Sequence, residues 1–137
     1  MKDLELLHQG KVVMWCRDNG IMIGALAQST WTESWSVIQK NKKAGVVRGL
    51  PDLMIIIPSK YRKNGMNKTV MLEMKRLKGG VVSEYQKKWI DALNKSEGIV
   101  ANVCRGHEEA IEWIKSFLEV KPKLPEGEEL ENLIHNL

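Results

Sequence analysis

The sequence predicts an α/β domain in which a small mixed central β-sheet is flanked by helices on both faces. Two apolar runs rich in β-branched residues, residues 53–57 and 69–75, have the length and composition of buried strands. Segments with helical spacing alternate with strand-like segments along the rest of the chain. With 137 residues, the chain has the size of one domain that buries a core of its own.

The part of the chain before these two runs is predicted to form two helices and one strand. Residues 4–19 carry apolar side chains at roughly helical spacing and end in Asn19-Gly20, a helix stop signal. The short apolar run 21–27 is predicted as a strand. Residues 31–43 follow as a helix, in which Trp31 and Trp35 are expected to pack against the core rather than stack on bases.

The part after the two runs is predicted to form a helix, a strand and a helix. The pattern Ser83-x-x-Gln86 is a capping box that begins a helix ending before Gly98. Its buried stripe is predicted to consist of Tyr85, Trp89, Ala92 and Leu93. A strand over residues 99–104 and a helix over residues 108–118 complete the pattern, with His107 expected as a capping or surface residue.

The sequence divides into a core domain, residues 1–118, and a C-terminal extension, residues 119–137. The extension begins with a proline-containing linker and continues as an acidic amphipathic helix predicted over residues 126–137. One face of that helix carries Leu130, Leu133, Ile134 and Leu137. Such a stripe needs an apolar partner, which is either this domain or a second copy of the chain.

The charge is unevenly distributed along the chain. The net charge is +4, yet residues 119–137 contain five Glu and two Lys, so the remaining residues carry +7. A basic surplus of this size favours a polyanionic partner. No run approaches 18 apolar residues and the N-terminus lacks the apolar core of a signal peptide, so we expect no membrane span and a cytoplasmic location. Cys16 and Cys104 have no metal-ligand spacing and are expected to be reduced core thiols.

Charged side chains stand at one end of each central strand. Asp52 directly precedes the first run, while Glu73 and Lys75 end the second. Because side chains alternate along a strand, Glu73 and Lys75 point to the same face. If the two strands pair as a hairpin, Asp52 lies beside Glu73. Two carboxylates at the end of an apolar sheet are costly to desolvate without a partner, and a divalent cation is the usual one.

The order Pro51-Asp52, a spacer, then Glu73-x-Lys75 resembles the signature of the PD-(D/E)XK nuclease superfamily. The segments 45–53 and 72–75, and Ser83-x-x-Gln86 followed by an amphipathic helix, resemble the virus-type replication-repair nuclease (VRR-NUC) branch. The resemblance covers roughly residues 5 to 105. It implies a restriction-endonuclease-like core and metal-dependent hydrolysis of DNA phosphodiester bonds by an endonuclease.

The resemblance also implies roles for individual residues. Asp52, Glu73 and the backbone carbonyl of Met74 would hold one or two Mg²⁺ or Mn²⁺ ions. Lys75 would position water or stabilise the transition state. Gln86 would lie beside the metal site, which does not exclude its capping role. Glu5 is a further candidate ligand, because in this family a Glu of the N-terminal helix can join the site; its alternative is an exposed carboxylate at a helix start.

Basic residues near these elements are candidate phosphate contacts, and for each the alternative is an ordinary solvated charge. The candidates are Lys40, Lys42, Lys43, Arg48, Lys60, Arg62, Lys63, Lys68, Arg76 and Lys78. Stand-alone members of the resembled family look like junction-resolving nucleases. We therefore expect a homodimer acting on duplex or branched DNA such as Holliday junctions. The competing hypothesis is a non-catalytic nucleic-acid-binding module with a structural Glu73–Lys75 ion pair.

Overall fold

A computed structural model of the chain describes residues 2–26, 34–62 and 69–119, and it confirms the α/β class. The elements are α1 (Lys2–Asp18), β1 (Met22–Ala25), α2 (Trp35–Lys43), β2 (Leu53–Ile56), β3 (Thr69–Lys75), α3 (Glu84–Asn94), β4 (Ile99–Arg105) and α4 (His107–Lys115). Trp31 and the predicted helix over residues 126–137 lie outside the described residues. None of the helices described is long and apolar enough to cross a membrane.

The four strands form one mixed sheet in the order β1-β2-β3-β4. β1 pairs antiparallel with β2, and β2 pairs antiparallel with β3, so the predicted hairpin of the two apolar runs is present. β3 pairs in parallel with β4, from Thr69 opposite Ile99 to Lys75 opposite Arg105. The connection between β3 and β4 contains α3, as a parallel pair requires. The sheet thus brings the ends of β3 and β4 side by side.

The core lies on the face of the sheet that α1 and α4 cover. Along β2 and the residue after it, Leu53, Ile55 and Ile57 are buried, while Met54 and Ile56 on the opposite face are partly exposed. Cys16 and Cys104 are buried free thiols, as predicted. Burial raises the pKa of each thiol to about 12, so both remain protonated and unreactive at neutral pH.

The predicted packing is wrong for α2 and only partly right for α3. No side chain of either helix is fully buried. Trp35, expected in the core, is 73 % exposed, because α2 packs against no other helix or strand of the described part. α3 packs on β4; of its predicted stripe, Trp89 and Leu93 are half-buried, whereas Tyr85, 53 % exposed, and Ala92 face solvent. Helical spacing indicates which side chains share a face, but it does not supply a surface for that face to cover.

The expectation for His107, a capping or surface residue, is also wrong. It is the first residue of α4 and packs half-buried against His8 of α1, with the rings stacked at 5.0 Å between centroids. His8 Nδ1 accepts a hydrogen bond from the backbone N–H of His107 at 3.2 Å and lies 2.8 Å from His107 Nδ1. The pair therefore ties α1 to the N-terminus of α4.

Candidate active site

The sheet register brings Asp52 and Glu73 together. The last pair of the β2–β3 ladder is Leu53 opposite Leu72, so the next position on each strand places Asp52 opposite Glu73. The backbone carbonyl of Asp52 accepts a hydrogen bond from the N–H of Leu26, just after β1, at 2.8 Å. The Asp52 side chain accepts a second bond, from the Met74 N–H to Oδ2 at 3.0 Å. The backbone of Asp52 is thus hydrogen-bonded to the residue after β1, and its side chain is hydrogen-bonded to β3.

Glu73 is a buried carboxyl group, only 4 % exposed, at the end of an otherwise apolar strand. It forms a hydrogen bond with Asp52. Lys75 is 9 % exposed and places its Nζ 3.8 Å from Glu73 Oε2. A separation of 3.8 Å is longer than a charge-assisted hydrogen bond, so the Lys75 ammonium lies near the Glu73 carboxyl group without being hydrogen-bonded to it.

The two carboxyl groups perturb each other. Burial, and then the charge of Asp52 and its hydrogen bond, raises the pKa of Glu73 to about 8. Burial also raises the pKa of Asp52, against the opposing effects of the Met74 N–H, the Glu73 hydrogen bond and the Lys75 charge. Without a cation, a pKa of about 8 at Glu73 means that the pair retains a proton at neutral pH. Such an arrangement is typical of a functional site rather than of a structural ion pair.

A backbone carbonyl also faces the pair. The N–H of Met74 points at Asp52. In an extended strand the N–H and C=O of one residue point to the same side, so the carbonyl of Met74 is directed toward Asp52 as well. The side chain of Met74 is fully buried on the other side of the strand.

Glu5 of α1 reaches the same region. Its charge contributes, as the smallest of the causes, to raising the pKa of both Asp52 and Glu73. Its Oε1 lies 3.5 Å from the position that a Cβ on Gly80 would occupy, and the same position lies 3.7 Å from Lys75 Cδ. The structure therefore places the side chains of Glu5 and Lys75 near the same side of Gly80.

Gln86 occupies a capping position at the start of α3. Its side-chain oxygen accepts from the Ser83 N–H at 2.9 Å, and its own N–H donates to Ser83 Oγ at 3.1 Å, the predicted capping box. Gly49, three residues before Asp52, lies against this end of α3 and has φ of +90°. A Cβ there would collide with the carbonyl carbon of Tyr85 and lie 2.6 Å from the backbone nitrogen of Gln86. The turn before Asp52 thus packs directly on the backbone of α3.

The donors present suit a hard divalent cation. Carboxylate and carbonyl oxygens are the ligands that Mg²⁺ and Mn²⁺ prefer, and Mg²⁺ commonly uses one or two carboxylates plus waters and substrate phosphate. Within the described residues no three His, Cys, Asp or Glu side chains are placed so that they could hold a metal ion together, so Glu5 does not form a ligand group with Asp52 and Glu73 in this structure. The two carboxylates and the Met74 carbonyl therefore fit a partial coordination shell that water and phosphate complete.

The comparisons with known proteins agree with this geometry. A profile of the VRR-NUC domain matches residues 12–108. The chain is a member of the VRR-NUC domain family. It is also similar to a solved structure described as a VRR_NUC domain protein, at 26 % identity and a TM-score of 0.61, over 83 % of this chain and 87 % of the other. None of the curated proteins compared with the chain matches it. Membership indicates a function of the nuclease type.

In this VRR-NUC domain, one group of basic residues lies on and after α2. Lys40, Lys42 and Lys43 are exposed in its last turn, as the sequence predicts. The guanidinium of Arg48, four residues before Asp52, lies over the Tyr85 ring at 5.7 Å from its centroid. A cation and an exposed aromatic ring therefore stand beside the turn that leads into the carboxylate pair.

The other basic candidates lie around β3 and the loop before it. Lys60 places its Nζ 4.9 Å from the Tyr61 ring centroid, and Arg62 forms an isolated bridge with Leu118. Lys78 is exposed and Arg76 is half-buried. Lys63 and Lys68 lie outside the described residues. The described basic candidates thus lie on three stretches of the chain: before β2, directly after β2, and after β3.

One arginine near the site was not predicted from the sequence. Arg105, the last residue of β4, binds backbone carbonyls of the loop that follows Lys75. No local pattern marks it, because its partners lie 25 to 29 residues earlier in the chain. The only sequence signal was the Gly79-Gly80 pair, whose positive φ angles of 75° and 62° give this loop its shape.

Proposed function

We propose that this VRR-NUC domain is a metal-dependent DNA endonuclease that hydrolyses phosphodiester bonds. Asp52, Glu73 and the Met74 carbonyl would hold Mg²⁺ or Mn²⁺, with Glu5 as an additional ligand. A bound cation of this kind supplies a water of lowered pKa and neutralises charge that develops on the phosphate. The observation that carries the proposal is the placement of Asp52 beside the buried Glu73 at the end of β3, with Lys75 Nζ 3.8 Å from Glu73 Oε2. The raised pKa of Glu73 agrees with it.

The residues of the chain have distinct tasks in this proposal. Asp52 is held in place by the Met74 N–H, so its carboxylate is oriented before any ligand arrives. Lys75 lies 3.8 Å from Glu73 with an ammonium that makes no closer ion pair in the described structure. That ammonium is available to orient a water or to stabilise negative charge in the transition state. Gln86 contributes through the cap that fixes the start of α3 against Gly49.

The competing hypothesis is a non-catalytic nucleic-acid-binding module in which Glu73 and Lys75 form a structural ion pair. The pair does exist, at 3.8 Å. A dominant structural pair would lower the pKa of Glu73, whereas burial and the charge of Asp52 outweigh the lowering effect of Lys75 and raise that pKa. Two carboxylates also repel an approaching phosphate unless a cation stands between them. Both arguments favour the nuclease.

The proposal is tested by cleavage of plasmid and oligonucleotide DNA with Mg²⁺ or Mn²⁺. Asp52→Asn and Glu73→Gln are expected to abolish cleavage while the circular dichroism spectrum stays unchanged. Asp91→Asn, which removes an exposed carboxylate paired with Lys95 on α3, is the matched control and should keep full activity. Metal-dependent cleavage retained by a clean Asp52→Asn preparation would contradict the assignment.

A second arm separates the nuclease from the binding module. Millimolar Mn²⁺ should raise the thermal midpoint of the wild type, because a ligand that binds only the folded state stabilises it. The increase should be lost in Asp52→Asn and kept in Asp91→Asn. DNA binding with no cleavage and no response to Mn²⁺ would favour the binding module.

We further propose that two copies act together on branched DNA such as Holliday junctions. The outer face of β1 and β2 carries Met22, 73 % exposed, together with the partly exposed Met54 and Ile56. These side chains line a cavity of about 710 Å³ beside the β1 edge of the sheet. An apolar face at a strand edge is a suitable surface for isologous pairing. Two copies would present two sites to opposed strands.

Light scattering at micromolar concentration tests the dimer. The wild type should have twice the mass of one chain, and Met22→Glu should be monomeric. Met14→Glu, at a similarly exposed methionine of α1, is the control and should remain a dimer. Equal cleavage of four-way junctions and linear duplex by a monomeric wild type would remove this part of the proposal without affecting the nuclease assignment.

A further inference from the structure

Arg105 makes a three-point contact with the loop that follows Lys75. Its Nη1 donates to the carbonyl of Gly79 at 2.6 Å and to that of Arg76 at 3.4 Å, and its Nη2 donates to the carbonyl of Gly80 at 2.9 Å. A planar guanidinium carries its donors in a fixed fork, so one side chain fixes three carbonyls in one orientation. The loop is therefore attached to the end of β4.

The glycine pair makes this contact possible. Gly79 and Gly80 have φ of 75° and 62°, a conformation that side chains disfavour. Two consecutive left-handed residues turn their carbonyls toward Arg105. A Cβ on Gly79 would lie 2.9 Å from Arg76 Nη2, so space at this position is limited too.

The far side of the same loop lies against the candidate active site. The Cβ position of Gly80 is 3.7 Å from Lys75 Cδ and 3.5 Å from Glu5 Oε1. The backbone of Gly80 thus lies near the Lys75 side chain and near a candidate metal ligand, at a spacing that one added methyl group would close to van der Waals contact. On the other side of the strand end, the carbonyl of Lys75 accepts from the Gly106 N–H at 2.9 Å, so the backbone of Lys75 is fixed to the residue after Arg105.

We propose that Arg105 is a positioning residue for Lys75 and Glu5, acting through the Gly79-Gly80 turn. Its guanidinium fixes the turn next to the Lys75 and Glu5 side chains, which limits where the Lys75 ammonium and the Glu5 carboxylate can move. Arg105 touches neither carboxylate of that pair in the described contacts, and its backbone N–H is bound by Glu109 Oε2. The proposal rests on the nuclease function for its kinetic consequence, but its geometric part does not.

The geometric part is tested by the reactivity of Lys75 toward an amine-acylating reagent, read by peptide mass spectrometry. In the wild type Lys75 is 9 % exposed and should react slowly relative to the exposed Lys87. Arg105→Ala should raise the rate at Lys75 at least ~5-fold and leave Lys87 unchanged, because the turn is released. An unchanged Lys75 rate in a folded Arg105→Ala protein would overturn the proposal.

Steady-state kinetics on cleaved DNA give the second readout. Arg105→Ala should lower kcat roughly 10-fold or more with little change in KM, since misplacing a catalytic group affects turnover rather than binding. Arg105→Lys, which reaches fewer carbonyls, should be intermediate. Lys95→Ala removes one positive charge from an exposed ion pair and should behave as wild type. A rise in KM at constant kcat would make Arg105 a phosphate contact and overturn the positioning role.

A variant that acts on the turn from its other side keeps the proposal testable if Arg105→Ala does not fold. Gly80→Ala places a methyl group at a positive φ against Lys75 and Glu5. It should reproduce both effects, and combining it with Arg105→Lys should be less than additive, because both changes release one element. Additive effects would contradict the proposal. If the wild type does not cleave DNA but Lys75 still becomes reactive in these variants, the nuclease function fails and the positioning role stands.

Discussion

Replacing Glu73 by Gln is expected to stabilise the metal-free protein increasingly as the pH rises from 5 to above 8. The pKa of Glu73 is about 8 in the folded protein, against an ordinary value of 4.5. Between these two values the folded protein holds a proton that the unfolded chain has released. The state that binds more protons loses stability as protons become scarce, so wild-type stability falls as the pH rises through this window. The amide of the Glu73→Gln variant does not titrate, so the variant lacks this fall.

The size of the effect follows from the two pKa values. At about 1.4 kcal/mol per pH unit, the gap between 4.5 and about 8 corresponds to roughly 5 kcal/mol of unfolding free energy. A domain of this size has a total stability of about 5–15 kcal/mol, so the change is a large share of it. Glutamine is close to protonated glutamate in shape and keeps a donor for Asp52, so little packing energy is lost.

Urea unfolding of both proteins in EDTA at a series of pH values from 5 to 9 measures the effect. The variant should gain on the wild type by several kcal/mol across the window and show no further gain above it. Glu112→Gln, at an exposed carboxylate paired with Lys115, should follow the wild type. Parallel curves for wild type and Glu73→Gln, or an advantage that is largest at acidic pH, would refute the reasoning.

Three further predictions concern the surroundings of the site. Gly49→Ala should lower the thermal midpoint by an amount equivalent to at least about 2 kcal/mol, because a Cβ at φ +90° meets the backbone of α3; an unchanged midpoint would contradict this. His8→Ala removes an acceptor from the N-terminus of α4 and should cost about 1 kcal/mol in urea unfolding, more than His107→Ala, which keeps the backbone donor. Neutralising Lys42 and Lys43 together should weaken DNA binding at all sequences. The slope of the logarithm of the binding constant against the logarithm of salt concentration should fall by about one unit per lost contact, and an unchanged slope would show that both lysines are only solvated.

The placement of Asp52 beside Glu73 followed from local rules. When the two apolar runs pair as a hairpin, the register places Asp52, just before the first run, opposite Glu73, near the end of the second. Alternation along β3 then put Lys75 on the side of Glu73. The cap at Ser83 and Gln86 was predictable for the same reason, since its partners lie three residues apart.

The features that were not predicted from the sequence depend on contacts between distant parts of the chain. His8 and His107 are 99 residues apart, and neither belongs to a motif that would have paired them. The exposure of Trp35 reflects the absence of a packing partner for α2 within the described residues, which helical spacing does not report. Arg105 lies just beyond the predicted last strand, and its role depends on a parallel register that brings it beside Lys75.

A crystal of the protein soaked in Mn²⁺ and measured at a wavelength where manganese scatters anomalously tests the central claim most directly. We expect an anomalous peak within about 2.0–2.5 Å of carboxylate oxygens from both Asp52 and Glu73, and none at this place in Asp52→Asn. A fully occupied Mn²⁺ bound elsewhere, with Asp52 and Glu73 still joined by their hydrogen bond, would contradict it.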